Sequence, residues 1–182
     1  MKKLNKNGKQ YLLSSIRVVS NFPIEGVQFR DITTLLNDKD AFMFLLEHLK
    51  DYYEKKRIDF IVGVESRGFV LAAALSAKLS IPFVPVRKPN KLPFLKFSCE
   101  YTLEYGQETL QIHQDAFRGM KNPKVLLIDD VLATGGTAIA GYNLIKKAGG
   151  DCIGACFLMH LSEFDGLKKL SEYTKVYSVL EL

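Results

Sequence analysis

The chain has 182 residues, of which 47% are hydrophobic and 25% charged, with a formal net charge of +5, and this fits one compact domain with its own core. No apolar run approaches the ~18 residues of a membrane helix, the basic start MKKLNKNGKQYLLSSIRVVSNF lacks the apolar stretch of a secretory signal, and three cysteines do not make a disulfide framework. A cytoplasmic, non-membrane protein is therefore expected; the lysines are scattered except at Lys2, Lys3, Lys6 and Lys9 and from Arg87 to Lys91, so nucleic acid is disfavoured and the second cluster fits a small phosphorylated ligand.

In chain order, YLLSSIRVV reads as a short helix and NFPIEGVQFRD as a loop. Asn37 or Asp38 caps a helix whose apolar positions Phe42, Leu45, Leu46 and Leu49 recur at helical spacing. DFIVGV is a short apolar strand, GFVLAAALSAKL a helix and PFVPVR a strand. KFSCEYTLEYG and ETLQIHQ alternate and join through Gly106, an antiparallel excursion and candidate lid. KVLLIDD is an apolar strand with an acidic end, and GTAIAGYNLIKKAGG is a helix stopped by glycines. CIGACFLM is a strand, SEFDGLKKL a helix and KVYSVLEL a last strand. Strands alternating with helices, several of them apolar without alternation, predict an α/β fold with a mostly parallel sheet covered on both faces. Residues 1–182 form a single domain, with 1–35 as an N-terminal helix and hood segment and 88–122 as a flexible excursion. Cys152, Cys156 and His160 would share a helix face and suggest metal, but on a strand at ~3.3 Å per residue the outer two lie ~26 Å apart.

The stretch VLLIDDVLATGGT, residues 125–137, carries the most chemistry. Ligands of an open parallel sheet bind beyond the C-terminal strand ends, where Asp129 and Asp130 fall. Gly135, Gly136 and Thr137 then open a helix, whose first N–H groups make an anion site. Acids beside a phosphate make sense if they accept hydrogen bonds from hydroxyls of the same ligand, so a sugar phosphate is the expected occupant. A phosphate-binding P-loop is excluded, because Gly63 and Gly68 have its spacing but Phe69 stands where the lysine would be. No GxGxxG follows any strand.

This pattern resembles the phosphoribosyl diphosphate signature of the type I phosphoribosyltransferases. FPIEGVQFRDIT, GVESRGF and RKPNKLP followed by YTLEYG are similar, in order, to the base-binding segment, diphosphate loop and mobile loop of its adenine-specific branch. The resemblance implies that fold, with a hood and a mobile hairpin over the site, and a reaction in which adenine and 5-phosphoribosyl 1-diphosphate give AMP and diphosphate. It implies that Ala133, Thr134, Gly135, Gly136 and Thr137 bind the 5-phosphate. Asp129 and Asp130 then hold the ribose, while Glu65, Ser66, Arg67, Arg87, Lys88 and Lys91 serve the diphosphate. A cis peptide bond is expected between Glu65 and Ser66. Phe29 and Val131 would sandwich the purine, with backbone near Val27 and Arg30 reading its edge.

Glu104 is the expected proton-transfer group, with Tyr105 orienting substrate and Arg67 counted with the catalytic residues. Where hypoxanthine–guanine enzymes typically carry an aspartate, this chain has Ala133, which leaves the base-side acid to Glu104. Magnesium is the implied cofactor, held through diphosphate and ribose with no dedicated protein cage, and Asp129 or Asp130 as the protein's donor. A homodimer is implied too. PFLKFS departs from the glycine- and tryptophan-containing stretch of many relatives. The alternatives are an enzyme for xanthine, guanine or hypoxanthine, or a regulator that senses the diphosphate without turning it over; the ~20 residues before Phe22 are too few for the nucleic-acid-binding domain such regulators usually carry.

Overall fold

The computed structural model describes residues 3–103 and 106–182, and the chain falls into two compact units, Met1–Lys55 and Lys56–Leu182. In the first unit, helix α1 (Lys6–Ser14) begins where Asn5 Oδ1 accepts a hydrogen bond from Gly8 N at 2.8 Å. It therefore starts five residues before the helix expected at YLLSSIRVV. The end of that segment, from Arg17, is instead in a strand, β1 (Arg17–Ser20), antiparallel to β2 (Gln28–Asp31) with Val18 opposite Arg30 and Val19 opposite Phe29. The reason is the β-branched pair Val18 and Val19, stiff at χ1 and suited to a pleated surface. The QFRD end of the expected loop is thus a strand as well. The turn between the strands carries a cis bond at Phe22–Pro23. A short α2 (Thr33–Leu36) precedes α3 (Lys39–Tyr53), which Asp38 caps by accepting from Asp40 N and Ala41 N. Leu45, Leu46 and Leu49 of α3 are buried as their spacing requires.

The second unit carries the parallel sheet. Its strands are β3 (Phe60–Val64), β4 (Phe83–Val86), β7 (Lys124–Leu132), β8 (Asp151–His160) and β9 (Val176–Glu181), lying in the order β4-β3-β7-β8-β9 and all parallel. Every residue of β3 is buried, which explains its unbroken apolar run. Helices α4 (Arg67–Leu79) and α5 (Gly136–Lys147) cover opposite faces. Gly63 of β3 faces Ala72 of α4, while Val64, the next residue, approaches Gly141 of α5, and successive strand residues point to opposite sides. A last helix, α6 (Gly166–Ser171), packs near β9. Between β4 and β7 the chain leaves the sheet as the antiparallel pair β5 (Lys96–Leu103) and β6 (Gly106–His113), as expected. Phe97, Cys99 and Tyr101 pack on the core, and Arg87 and Gln111 exchange backbone hydrogen bonds of 2.9 and 2.7 Å. Cys152, Cys156 and His160 lie along β8.

The strand order fixes where a ligand binds. From β3 the chain goes outward to β4, then returns to the other side of β3 as β7. The connections leaving β3 and β7 therefore run to opposite faces, and a crevice opens between their C-terminal ends.

Candidate active site

Two helix N-termini flank that crevice. β3 ends at Val64, the peptide bond between Glu65 and Ser66 is cis as expected, and α4 starts at Arg67 with no side chain capping its first turn. β7 runs on through Asp129 and Asp130 to Leu132, and α5 starts after Gly135, again with no side-chain cap. The first N–H groups of both helices lack intrahelical partners, and each end carries a partial positive charge. Gly135 takes φ +88°, and a Cβ there would sit 3.0 Å from Gly166 Cα. Gly166 N in turn donates to Ala133 O at 3.1 Å, which pins the loop from the other side. Glycine at 135 is thus required twice, by the left-handed backbone and by the close approach.

The acids sit between the helix ends. Asp129 is 8% and Asp130 5% exposed. Asp130 N donates to Asp129 Oδ1 at 2.9 Å, and Arg67 Nε donates to Asp130 Oδ2 at 2.5 Å, an ion pair that spans the crevice from α4 to β7. Burial pushes the Asp129 carboxyl well above the usual carboxylate range, and the neighbouring charge of Asp130 adds to the rise. Gly68 lets α4 come this close. A Cβ at Gly68 would lie 2.7 Å from Asp129 Oδ1 and 3.0 Å from Ile128 O.

Glu65 turns its carboxylate to cationic and N–H groups of the chain itself. Its carboxylate accepts from Arg87 Nε at 3.1 Å, Arg87 Nη2 at 3.3 Å and Lys88 N at 3.0 Å, and Arg87 Nη1 donates to Lys91 O at 3.2 Å. Burial alone would raise Glu65, but the bonds from Arg87 and Lys88 outweigh it and hold the acid below its ordinary value. Glu65 is thus an anchor for the Arg87–Lys91 turn.

A cavity of about 510 Å³ joins these parts, within the ordinary size range for a small-ligand site. Glu65, Ser66, Arg67, Lys88, Asp129, Asp130, Val131 and the whole 133–137 loop line it, whereas Arg87 and Lys91 do not. Val27, Phe29 and Arg30 belong to the first unit, where the Phe29 ring meets Phe22 edge-on at 5.1 Å. Glu104 and Tyr105 lie outside the described residues. Tyr101 and Glu108 also line the cavity, and sequence reasoning did not single them out. The hairpin arithmetic could have found them, since pairing Leu103 with Gly106 sets Tyr101 opposite Glu108. Such a cavity can hold an anionic group at each helix end and hydroxyl groups at the acids between.

The family described as phosphoribosyl transferase domain matches residues 31–182. An adenine phosphoribosyltransferase of Campylobacter jejuni subsp. doylei is 57% identical over 182 residues, all of both chains, and one of Wolinella succinogenes is 50% identical over the same span. The crystal structure of adenine phosphoribosyltransferase from Thermoanaerobacter pseudethanolicus superposes with a TM-score of 0.90 at 40% identity, covering 95% of this chain and 99% of that one. The enzyme of Saccharomyces cerevisiae, complexed with D-2,5-dideoxy-2,5-imino-altritol 1,6-bisphosphate and adenine, superposes with a TM-score of 0.88 at 32% identity over 96% of this chain and 99% of that one.

Proposed function

The chain belongs to the phosphoribosyltransferase family, and from that premise we propose that it is an adenine phosphoribosyltransferase, joining adenine to 5-phosphoribosyl 1-diphosphate to give AMP and diphosphate. One observation carries the reading: a single cavity runs from the α5 N-terminus, past Asp129 and Asp130, to Arg67 at the start of α4. A ribose phosphorylated at both ends matches that sequence of donors and acceptors, and the relatives' shared name supplies the base.

The 5-phosphate sits on the N–H groups of the 133–137 loop, which bind it without desolvating a countercharge. Asp129 and Asp130 accept from the ribose hydroxyls. Their negative field also stabilises the positive charge that grows on the ring as the C1–diphosphate bond breaks. Arg67, Lys88 and the first turn of α4 neutralise the leaving diphosphate. Val131 lies on the cavity wall beside the acids and packs against the purine. Val27, Phe29 and Arg30, in the first unit, are the other candidate base-binding residues. Glu104 exchanges the proton at N7 or N9 of the base, and Tyr105 orients it. Arg87 and Lys91 serve the diphosphate through the turn that Glu65 anchors.

Magnesium is the family's usual companion of this substrate, and the donors fit it: Asp129 and Asp130 are hard oxygen ligands of the kind it takes when substrate phosphates provide the rest. Bound there, it supplies charge neutralisation on the leaving group. Among the described residues no helix is long and apolar enough to cross a membrane, and Cys99, Cys152 and Cys156 are free thiols, which supports a reducing cytoplasm as the place of work. A homodimer is proposed, and sedimentation of the purified chain tests it.

Incubation with magnesium, phosphoribosyl diphosphate and each purine base in turn is the direct test of function. AMP from adenine is expected. Product only from guanine, hypoxanthine or xanthine overturns the base, and binding of the diphosphate without turnover would mark a sensor.

A further inference from the structure

Four polar groups meet on the cavity wall and the roles above use only two of them. Glu108 Oε1 accepts from Lys88 Nζ at 3.1 Å, and Glu108 Oε2 accepts from Tyr101 OH at 3.0 Å. The Tyr101 oxygen accepts in turn from Thr137 Oγ1 at 3.4 Å. Tyr101 and Glu108 are directly paired across the β5–β6 hairpin, and all four residues line the cavity. Lys88 stands at the diphosphate end and Thr137 in the 5-phosphate loop, so the hairpin pair bridges the two.

Donor and acceptor counting fixes the direction of this chain. A carboxylate only accepts, so Tyr101 gives its single proton to Glu108 and has lone pairs left for Thr137. Burial above all, with Glu108 assisting, pushes the Tyr101 phenol up to about 12, and it stays a donor at ordinary pH. Burial would raise Glu108, but Lys88 and Tyr101 more than offset that and hold it below its usual range, so it stays an acceptor. The Thr137 hydroxyl has one proton, and it points at Tyr101. A phosphate in the loop needs that proton, because a phosphate oxygen accepts.

We propose that Tyr101 and Glu108 are positioning residues of the reaction: before substrate arrives they hold Thr137 and Lys88 against the hairpin, and the substrate takes both away, Thr137 to its 5-phosphate and Lys88 to its diphosphate. This rests on the assignment of the two phosphate ends made above. The substrate must break two weak bonds in order to make two stronger ones, and in doing so it loosens the hairpin from α5 and from Lys88. The pair acts through its neighbours and does not itself touch the reacting atoms.

The signature is a gain of affinity, which a merely structural role would not produce. Calorimetric titration of the full chain uses two probes, ribose 5-phosphate and magnesium diphosphate. In Tyr101→Phe, ribose 5-phosphate binds about two- to fivefold tighter and magnesium diphosphate is unchanged, the factor a weak hydrogen bond is worth. In Glu108→Gln, magnesium diphosphate binds about two- to fivefold tighter, since the ion pair to Lys88 is half-exposed. Removing an acid strengthens any anion site, so the second gain must disappear when Glu108→Gln is made on Lys88→Met, and the first when Tyr101→Phe is made on Thr137→Val. Unchanged or weaker binding in the single variants, or gains that survive in the double variants, overturns the proposal. If the unaltered chain binds neither probe, the phosphate assignment itself is wrong.

Discussion

Asp130→Asn separates the chemistry of the acid pair from its structural part. The substitution keeps shape and removes charge. Arg67 loses an ion pair of 2.5 Å, but its side chain is 41% exposed while that of Asp130 is 7%, so solvent screens the loss to about 1 kcal/mol. The loss is partly offset, because the Asp130 charge is one of the forces raising Asp129, and that repulsion is relieved. The expected change in melting temperature is therefore only about 2–4 °C for a chain of this length. Turnover should fall far more. A preorganised group facing charge that develops in the transition state is worth roughly 2.7–4 kcal/mol, or about 10²–10³ in kcat. Thermal melting and initial rates of AMP formation, measured on one preparation, give both numbers. Rates within about threefold of the unaltered enzyme, or a collapse of the fold large enough to explain the lost rate, would refute the reasoning.

Gly68→Ala is expected to cost about 1–3 kcal/mol, because the new methyl meets Asp129 Oδ1 at 2.7 Å and the Ile128 carbonyl at 3.0 Å and strand backbone cannot give way; denaturant midpoints check it, and an unchanged midpoint contradicts the packing. The folded-state pKa of Glu65 lies below its unfolded value. Its contribution to stability is therefore complete above the ordinary carboxylate range and is lost as pH falls through the depressed folded value. In Glu65→Gln this acid-side loss should vanish from a plot of melting temperature against pH, while KM for the diphosphate substrate rises as the Arg87–Lys91 turn loses its anchor. Glu104→Gln should lower kcat and leave the affinity for magnesium diphosphate as it was; loss of that affinity would remove Glu104 from the base side of the reaction.

The sheet was legible because its strands are buried on both sides, so FIVGV and VLLI carry no alternation and could be read from hydrophobicity alone. The turn from β7 into α5 was legible because Gly135, Gly136 and Thr137 follow an apolar strand and lead into a helix. Local signals misled at residues 17–19, where helix-compatible spacing gave way to pairing with β2, a tertiary preference no short window contains. The partners of the charged residues were also hidden. GVESRGF offers a glutamate and an arginine two positions apart, and nothing in their order says that Glu65 turns to Arg87 while Arg67 crosses to Asp130. Those choices depend on strand order, which brings residue 67 beside residue 130.

That pairing scheme has a physical logic of its own. Three cations proposed for a diphosphate would, if bare, repel one another and attract any passing anion. Here each has an acid: Arg67 on Asp130, Arg87 on Glu65 and Lys88 on Glu108. The acids lower the local positive field, so a singly charged or diffuse anion gains little by entering. A ligand that recovers the cost must be strongly charged at one end, to compete for the cations. It must also bring hydroxyl groups, to give Asp130 a new partner when Arg67 leaves. On the proposed roles, exchange of partners, rather than capture by bare charge, would make the site answer to a phosphorylated sugar and not to phosphate alone.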